Sequence, residues 1–382
     1  MREKINLLRE FSVPLLAGVM VALVWANVSP QGYHHFVESP FLGNLSFHFV
    51  TNELFMVLFF GMAAVEITQS CLPGGDLNPP RKAINPLLAT LGGVVGPVAV
   101  YLALNVLIGS PLLTRGWGIP TATDIALAWL AARIVFGARH PAVSFLLLLA
   151  IADDAIGLAI IAVFYPDPAV PMAPAWLLLP LLGMGAALLL RTLKIQSYWP
   201  YILIGGTLCW TGLFKAHLHP ALALVFVVPF IPHPPRERMG IFETDPHDRS
   251  PLASFEHDWK IVVDFGLFMF GLANAGVEFS EIGTVTWLVL IALLLGKTAG
   301  IFIMGWLGAR LGFPLPGNVG YKELALTGLI AGIGLTVALF VAGEAFTEPG
   351  VQGAAKMGAL LSGAAAIAAI LFGKLFRVRK IE

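Results

Sequence analysis

Residues 142–164 read AVSFLLLLAIADDAIGLAIIAVF, a run of 23 residues in which the only charges are Asp153 and Asp154. At about 1.5 Å per residue, a helix of this length crosses a bilayer. The two carboxylates fall at its midpoint, where an ionised side chain costs at least about 2.5 kcal/mol. Successive helix positions point about 100° apart, so both acids can border one cavity while each meets a different partner. A polar contact between helices is the plain explanation of such a pair. A site where a cation and protons compete is the sharper one, because ionisable groups inside a membrane mark ion and proton paths.

The surrounding composition sets the class. Of 382 residues, 57% are hydrophobic and only 12% charged, and the mean hydropathy is +0.82. These values describe an all-α polytopic membrane protein. A formal net charge of zero counts against a nucleic-acid partner. Cys71 and Cys209 are too far apart to suggest a disulfide framework or a metal motif and are assigned to packing. Residues 1–28 carry basic residues before an apolar run, but no small-residue cleavage site follows, so they are read as a first membrane helix.

Apolar runs fall near 11–28, 53–71, 84–107, 120–136, 142–164, 175–193, 198–215, 219–232, 258–277, 285–311, 321–343 and 352–376. They predict about twelve transmembrane helices. Of the 23 Lys and Arg residues, nineteen fall on the side of the two termini, and three, Arg115, Lys215 and Lys356, on the other. That bias predicts cytoplasmic termini. Lys297 belongs to neither set because it lies inside a run. In the first outside loop, Gly43-Asn44 is expected to close a short hairpin. The Pro-rich stretch 232–254 reads as a cytoplasmic linker whose His233 and His247 are solvated. Gly92-Gly93 and Gly332-Ile-Gly334 lack the lysine or acid of a nucleotide site and are read as helix-packing or helix-breaking residues. Trp25, Trp117, Trp176 and Trp199 suit interfacial belts.

Two runs look broken. Gly118-Ile-Pro-Thr-Ala-Thr-Asp124 and Gly332-Ile-Gly-Leu-Thr336 interrupt a helix in mid-course. Unwound backbone at that depth must be buried in protein or line a cavity. If the breaks cross, half-helix ends of like sign meet; Asp124 offsets the positive ends and Lys297 the negative ones. Lys297 is too central to reach water and requires a partner.

The stretches Pro-Thr-Ala-Thr-Asp-Ile-Ala (120–126), Ala-Ile-Ala-Asp-Asp-Ala-Ile-Gly (150–157), Ala-Asn-Ala-Gly-Val (273–277), Gly-Lys (296–297) and Gly-Ile-Gly-Leu-Thr (332–336) resemble, in order, the signatures of the bacterial NhaA-type sodium/proton antiporters. The resemblance implies inverted-topology repeats and two crossed discontinuous helices. Interface helices 1 and 2 occupy 1–83, core repeat one 84–166, connecting and interface helices 167–232, the linker 233–255, interface helix 9 256–283, and core repeat two 284–382. It also implies a homodimer in the bacterial inner membrane. Asp153, Asp154 and Thr123 take the cation and proton roles, Asp124 and Lys297 balance the crossing, Gly332, Gly334 and Thr336 form the second break, and Lys297 pairs with Asp153. Sodium is bound by hard oxygens, which carboxylates, Thr hydroxyls and carbonyls supply. Removal from water also makes a carboxyl pair a competitor for protons. No cofactor is implied, only transported sodium or lithium and protons.

The sequence departs from that family in places. Ile67, Thr68, Gln69 and Ser70 stand where relatives commonly carry a basic and acidic cluster after Val65-Glu66, which leaves Glu66, Glu256 and His257 as candidate pH-sensing residues. The outside hairpin is shorter, which counts against the dimer. Asp264 is an extra acid, expected to pair with Lys260 one turn earlier. The expected function is sodium(lithium)/proton antiport serving pH homeostasis; the alternatives are a sodium-coupled solute symporter and a transport-inactive membrane sensor.

Overall fold

The computed structural model describes residues 13–43, 45–72, 80–166, 171–233, 250–317, 319–378 and 380–381. The basic amino terminus, Asn44, and the part of the Pro-rich stretch that contains His247 lie outside the described residues. In chain order the helices are α1 Val13–Val28, α2 Pro30–Glu38, α3 Phe47–Cys71 and α4 Pro80–Ile108. After a 3₁₀ segment Pro111–Thr121 come α5 Ile125–Phe136, α6 Pro141–Phe164 and α7 Pro174–Thr192. A π-helical turn Tyr201–Gly206 leads into α8 Thr207–Lys215, followed by 3₁₀ turns within Pro220–Phe230. The last third holds α9 Pro251–Asn274, α10 Thr284–Arg310, α11 Tyr321–Ala331, α12 Thr336–Ala345 and α13 Pro349–Leu375.

Each of the twelve apolar runs coincides with helical structure. Among the described residues, six helices are long and apolar enough to cross a membrane, or up to eight if each bent pair counts as one span. Burial ranks them. Two thirds of the apolar window of α6 is inside protein (67%), against 17% for α7, so the acid-bearing helix is central and α7 peripheral. Large apolar side chains such as Leu178, Leu203 and Ile367 point outward, as lipid contact requires.

Several boundaries differ from the sequence reading. The fourth run begins at Pro111 rather than 120, and the eighth is 3₁₀ rather than α. The ninth begins at Pro251, inside the stretch read as linker, because Ser250 accepts a hydrogen bond from Ala253 N at 3.3 Å and Pro251 fits the first helical position. Lys356 is no outer-loop residue; it is buried within α13. Cys209 packs inside, whereas Cys71 is exposed. The short hairpin is present, with Pro40–Leu42 antiparallel to Leu45–Ser46 and Gly43 at φ +63°.

The crossing of α4 and α10 fixes the interior. Gly92 and Gly96 face Gly296 and Gly300, and a Cβ on Gly92 or Gly300 would collide with the carbonyl oxygen of the other. Small residues four apart let the two backbones touch. This contact sets the depth of Lys297, which ends a π-helical turn, Ala292–Lys297, beside Gly296. Gly300→Leu should therefore separate the two helices; folded yield and detergent melting are expected to fall sharply, while Gly185→Leu, where a Cβ meets open space, should leave both unchanged.

Candidate functional site

Four chain segments meet around the acid pair. The 3₁₀ segment and α5 are bent by 57° across residues 122–124, and α11 and α12 by 50° across residues 332–335. Pro120 and Gly332 with Gly334 explain why neither helix continues. The two breaks satisfy one another: Asp124 N donates to Ile333 O at 2.7 Å, and the Thr123 hydroxyl lies 2.8 Å from Ala331 O and 2.9 Å from Asp153 Oδ2. That hydroxyl has one proton and donates to one of them at a time. Gly334 N donates to Ser362 Oγ at 3.0 Å, tying the second break to α13.

The charges occupy the frayed helix ends. Asp124 caps α5, its Oδ1 accepting from Leu127 N at 3.0 Å, and Thr336 lies beside the same carboxylate. Lys297 Nζ donates to Thr121 O, the carbonyl end of the 3₁₀ segment, at 2.5 Å and to Asp153 Oδ2 at 2.6 Å. Lys297 and Asp153 are both fully buried. One ammonium thus answers a carbonyl end and a carboxylate together.

Asp154 is left differently. It is 8% exposed, and its Oδ1 is buried with no hydrogen-bond partner among the described residues; Asp153 Oδ1 is in the same position. Asp124 Oδ2 is likewise unpartnered among the described residues; buried polar atoms are nearly always partnered, so three such acceptors in one cluster mark it as a candidate cation or proton site. The carboxylates of Asp153, Glu66 and Asp124 all repel that of Asp154, with Lys297 the opposing charge. The acceptors that this cluster presents, carboxylates, the Thr123 hydroxyl and backbone carbonyls, are all oxygens, which suit a hard monovalent cation or a proton.

Every central residue singled out from the sequence lies in this cluster: Asp153, Asp154, Thr123, Asp124 and Lys297, with Gly332, Gly334 and Thr336 at the facing break. The cytoplasmic set is looser. Glu66 acts on Asp154, and Glu256 accepts from Gln69 Nε2 at 3.0 Å, one turn along α3 from Glu66, while His257 is exposed. The sequence reading counts Gln69 only as a departure from the family's cluster; its position three residues after Glu66 is the signal that it shares a helix face with that acid. Asp264 is half-buried and Lys260 exposed.

The family model for Na+/H+ antiporter 1 matches residues 6–374. The chain belongs to that family. A Na(+)/H(+) antiporter NhaA of Geobacter sulfurreducens is 74% identical over 100% of both chains, and one of Desulfitobacterium hafniense 66% identical over 100% of this chain and 98% of its own. A more distant NhaA, of Jannaschia sp., is 45% identical over 99% of each. The solved sodium proton antiporter MjNhaP1 of Methanocaldococcus jannaschii aligns over 95% of this chain and 91% of its own with a TM-score of 0.50 at 16% identity, a likeness of fold. In this member of the Na+/H+ antiporter 1 family, four of the five signature stretches meet in one buried cluster, while the fifth, 273–277, packs elsewhere, Asn274 Nδ2 donating to Asn52 Oδ1 at 2.8 Å.

Proposed function

We propose that this chain exchanges sodium, and lithium, for protons across the bacterial inner membrane, with both termini cytoplasmic. The observation that carries the reading is the unsatisfied Asp154 Oδ1, buried beside an Asp153 whose other oxygen is held by Lys297. A dehydrated sodium ion gains oxygen ligands from Asp154, Asp153 and Thr123; a proton neutralises the same carboxylates, so the two species exclude one another. Lys297 keeps Asp153 ionised until the site changes state. Alternation of access follows from the bent pairs, read as two crossed discontinuous helices of inverted repeats (84–166 and 284–382) in a protein of twelve spans. Relatives named as antiporters count against the symporter and sensor readings.

The test is reconstitution in proteoliposomes with a trapped pH-sensitive dye and an imposed proton gradient. Sodium or lithium should collapse the gradient and potassium should not; a gradient indifferent to all three ions would overturn the reading.

A further inference from the structure

The π-helical turn Ala292–Lys297 interrupts α10 at the residues that carry Lys297 to the site. A π turn closes its hydrogen bonds five residues apart rather than four, is rarer than the α-helix around it, and persists where its surroundings hold it. Packing holds the flanks of this one. Toward α4, a Cβ on Gly296 would stand 2.6 Å from Pro97 Cα. Toward α11, one on Gly332 would stand 2.7 Å from Leu293 O, and one on Gly328 3.0 Å from Thr298 Cα. The turn and the residue after it thus lean on α11 and on the break that ends it.

A side chain holds the end of the turn from within α10. The amide of Thr298, the residue after Lys297, donates to Leu295 O, three residues back. An α-helix would direct that amide to Leu294 O, four residues back. The Thr298 hydroxyl donates to Leu294 O in its place. Threonine hydroxyls readily reach the carbonyl four residues earlier, and the bond bends or unwinds a helix where it competes with the backbone. Here it supplies a bond that the backbone has given up, one position past Lys297.

We infer that Thr298 is a positioning residue for the exchange: its hydroxyl holds the π turn open, and the turn aims the Lys297 ammonium at Asp153. Its effect on transport rests on the antiport reading; its effect on the ion pair does not. If Leu294 O loses that donor, no water inside an apolar span replaces it, and the backbone regains a bond by winding the turn back to α. The register then closes up by one residue. Successive helix positions point about 100° apart, so Lys297 turns by about that angle relative to Gly300, which the α4 contact fixes. Its Nζ then leaves Asp153 Oδ2 and Thr121 O, now at 2.6 and 2.5 Å. Thr298 touches neither acid, so it acts through Lys297 alone.

Thr298→Val keeps the branched shape and removes the donor, whereas Thr298→Ser keeps the donor. In proteoliposomes at saturating sodium, Thr298→Val should lower sodium-driven proton movement about tenfold, the factor by which one hydrogen bond shifts a two-state register, and Thr298→Ser should stay within about twofold of wild type. A melting cycle in detergent asks whether the change passes through the lysine. Thr298→Val should lower the melting temperature of the wild type; in a Lys297→Met, Asp153→Asn background, where no ammonium needs aiming, at least about half of that drop should vanish. A drop of equal size in both backgrounds, or Val and Ser variants that transport alike, would overturn the role. If Thr298→Val does not fold, Thr298→Ala takes its place under the same criteria. A wild type in which sodium moves no protons would fail the antiport reading and leave the melting cycle to decide this one.

Discussion

Asp154→Asn is expected to reduce sodium-driven proton movement at least about 100-fold while leaving the protein folded. The amide keeps the shape of the carboxylate and one of its oxygens but removes the charge. A sodium ion that has shed water in a nearly dry site needs that charge, and each 1.4 kcal/mol of lost binding is about a factor of ten. The same change takes away the proton acceptor, so both halves of the exchange fail together. Stability should move the other way. The Asp154 carboxylate is repelled by three neighbouring acids, and a neutral side chain relieves that, so melting in detergent should stay level or rise. Asp154→Glu, which retains charge but displaces it by one methylene, should keep partial activity. Dye quenching in proteoliposomes and a melting curve on the same preparation decide it: sustained exchange in Asp154→Asn would remove Asp154 from the pathway.

The same reasoning explains what the sequence discloses. Asp153, Asp154 and Lys297 are legible because the cost of a charge at mid-membrane is large and depends only on depth within an apolar run. Pro120, Gly332 and Gly334 are legible because they break helices whatever surrounds them, and the spacing of Gly92, Gly96, Gly296 and Gly300 points to close helix contact. What is not legible depends on distant partners. Residues 111–119 contain Arg115, Gly116 and Gly118 and look like an outside loop. They form a 3₁₀ segment, the first member of a bent helix pair, held by Tyr101 OH donating to Leu113 O at 2.8 Å and by Tyr165 OH donating to Arg115 O at 2.7 Å while accepting from Gly118 N at 2.8 Å. No local propensity encodes those two tyrosines. Lys356 reads as an outer cation until Glu344 and Glu281 are found near it. His219 at the edge of a short run gives no sign that Phe340 and Glu344 will meet it.

Lys297→Ala tests the other half of the charge balance, and its effect should fall first on stability. With the ammonium gone, Asp153 keeps the Thr123 hydroxyl as its remaining partner and Thr121 O loses its donor, all within a fully buried site. Removing one member of a buried ion pair typically costs about 3–5 kcal/mol, because the other is left charged without compensation. The melting temperature in detergent should drop clearly. Pairing Lys297→Met with Asp153→Asn should recover most of the loss, since the double variant leaves no isolated charge; a cycle of the two single variants and the double isolates the coupling. A Lys297→Ala protein that melts with the wild type would mean that the 2.6 Å contact carries little energy. The comparison also separates the roles of the two acids. If Asp153 is the carboxylate held by lysine, its charge is already answered in the state described, and Asp154 is the acid whose charge awaits a visitor. The double variant should then recover stability more fully than it recovers proton coupling, because the amide at position 153 keeps the packing but cannot take up the proton that the carboxylate would carry.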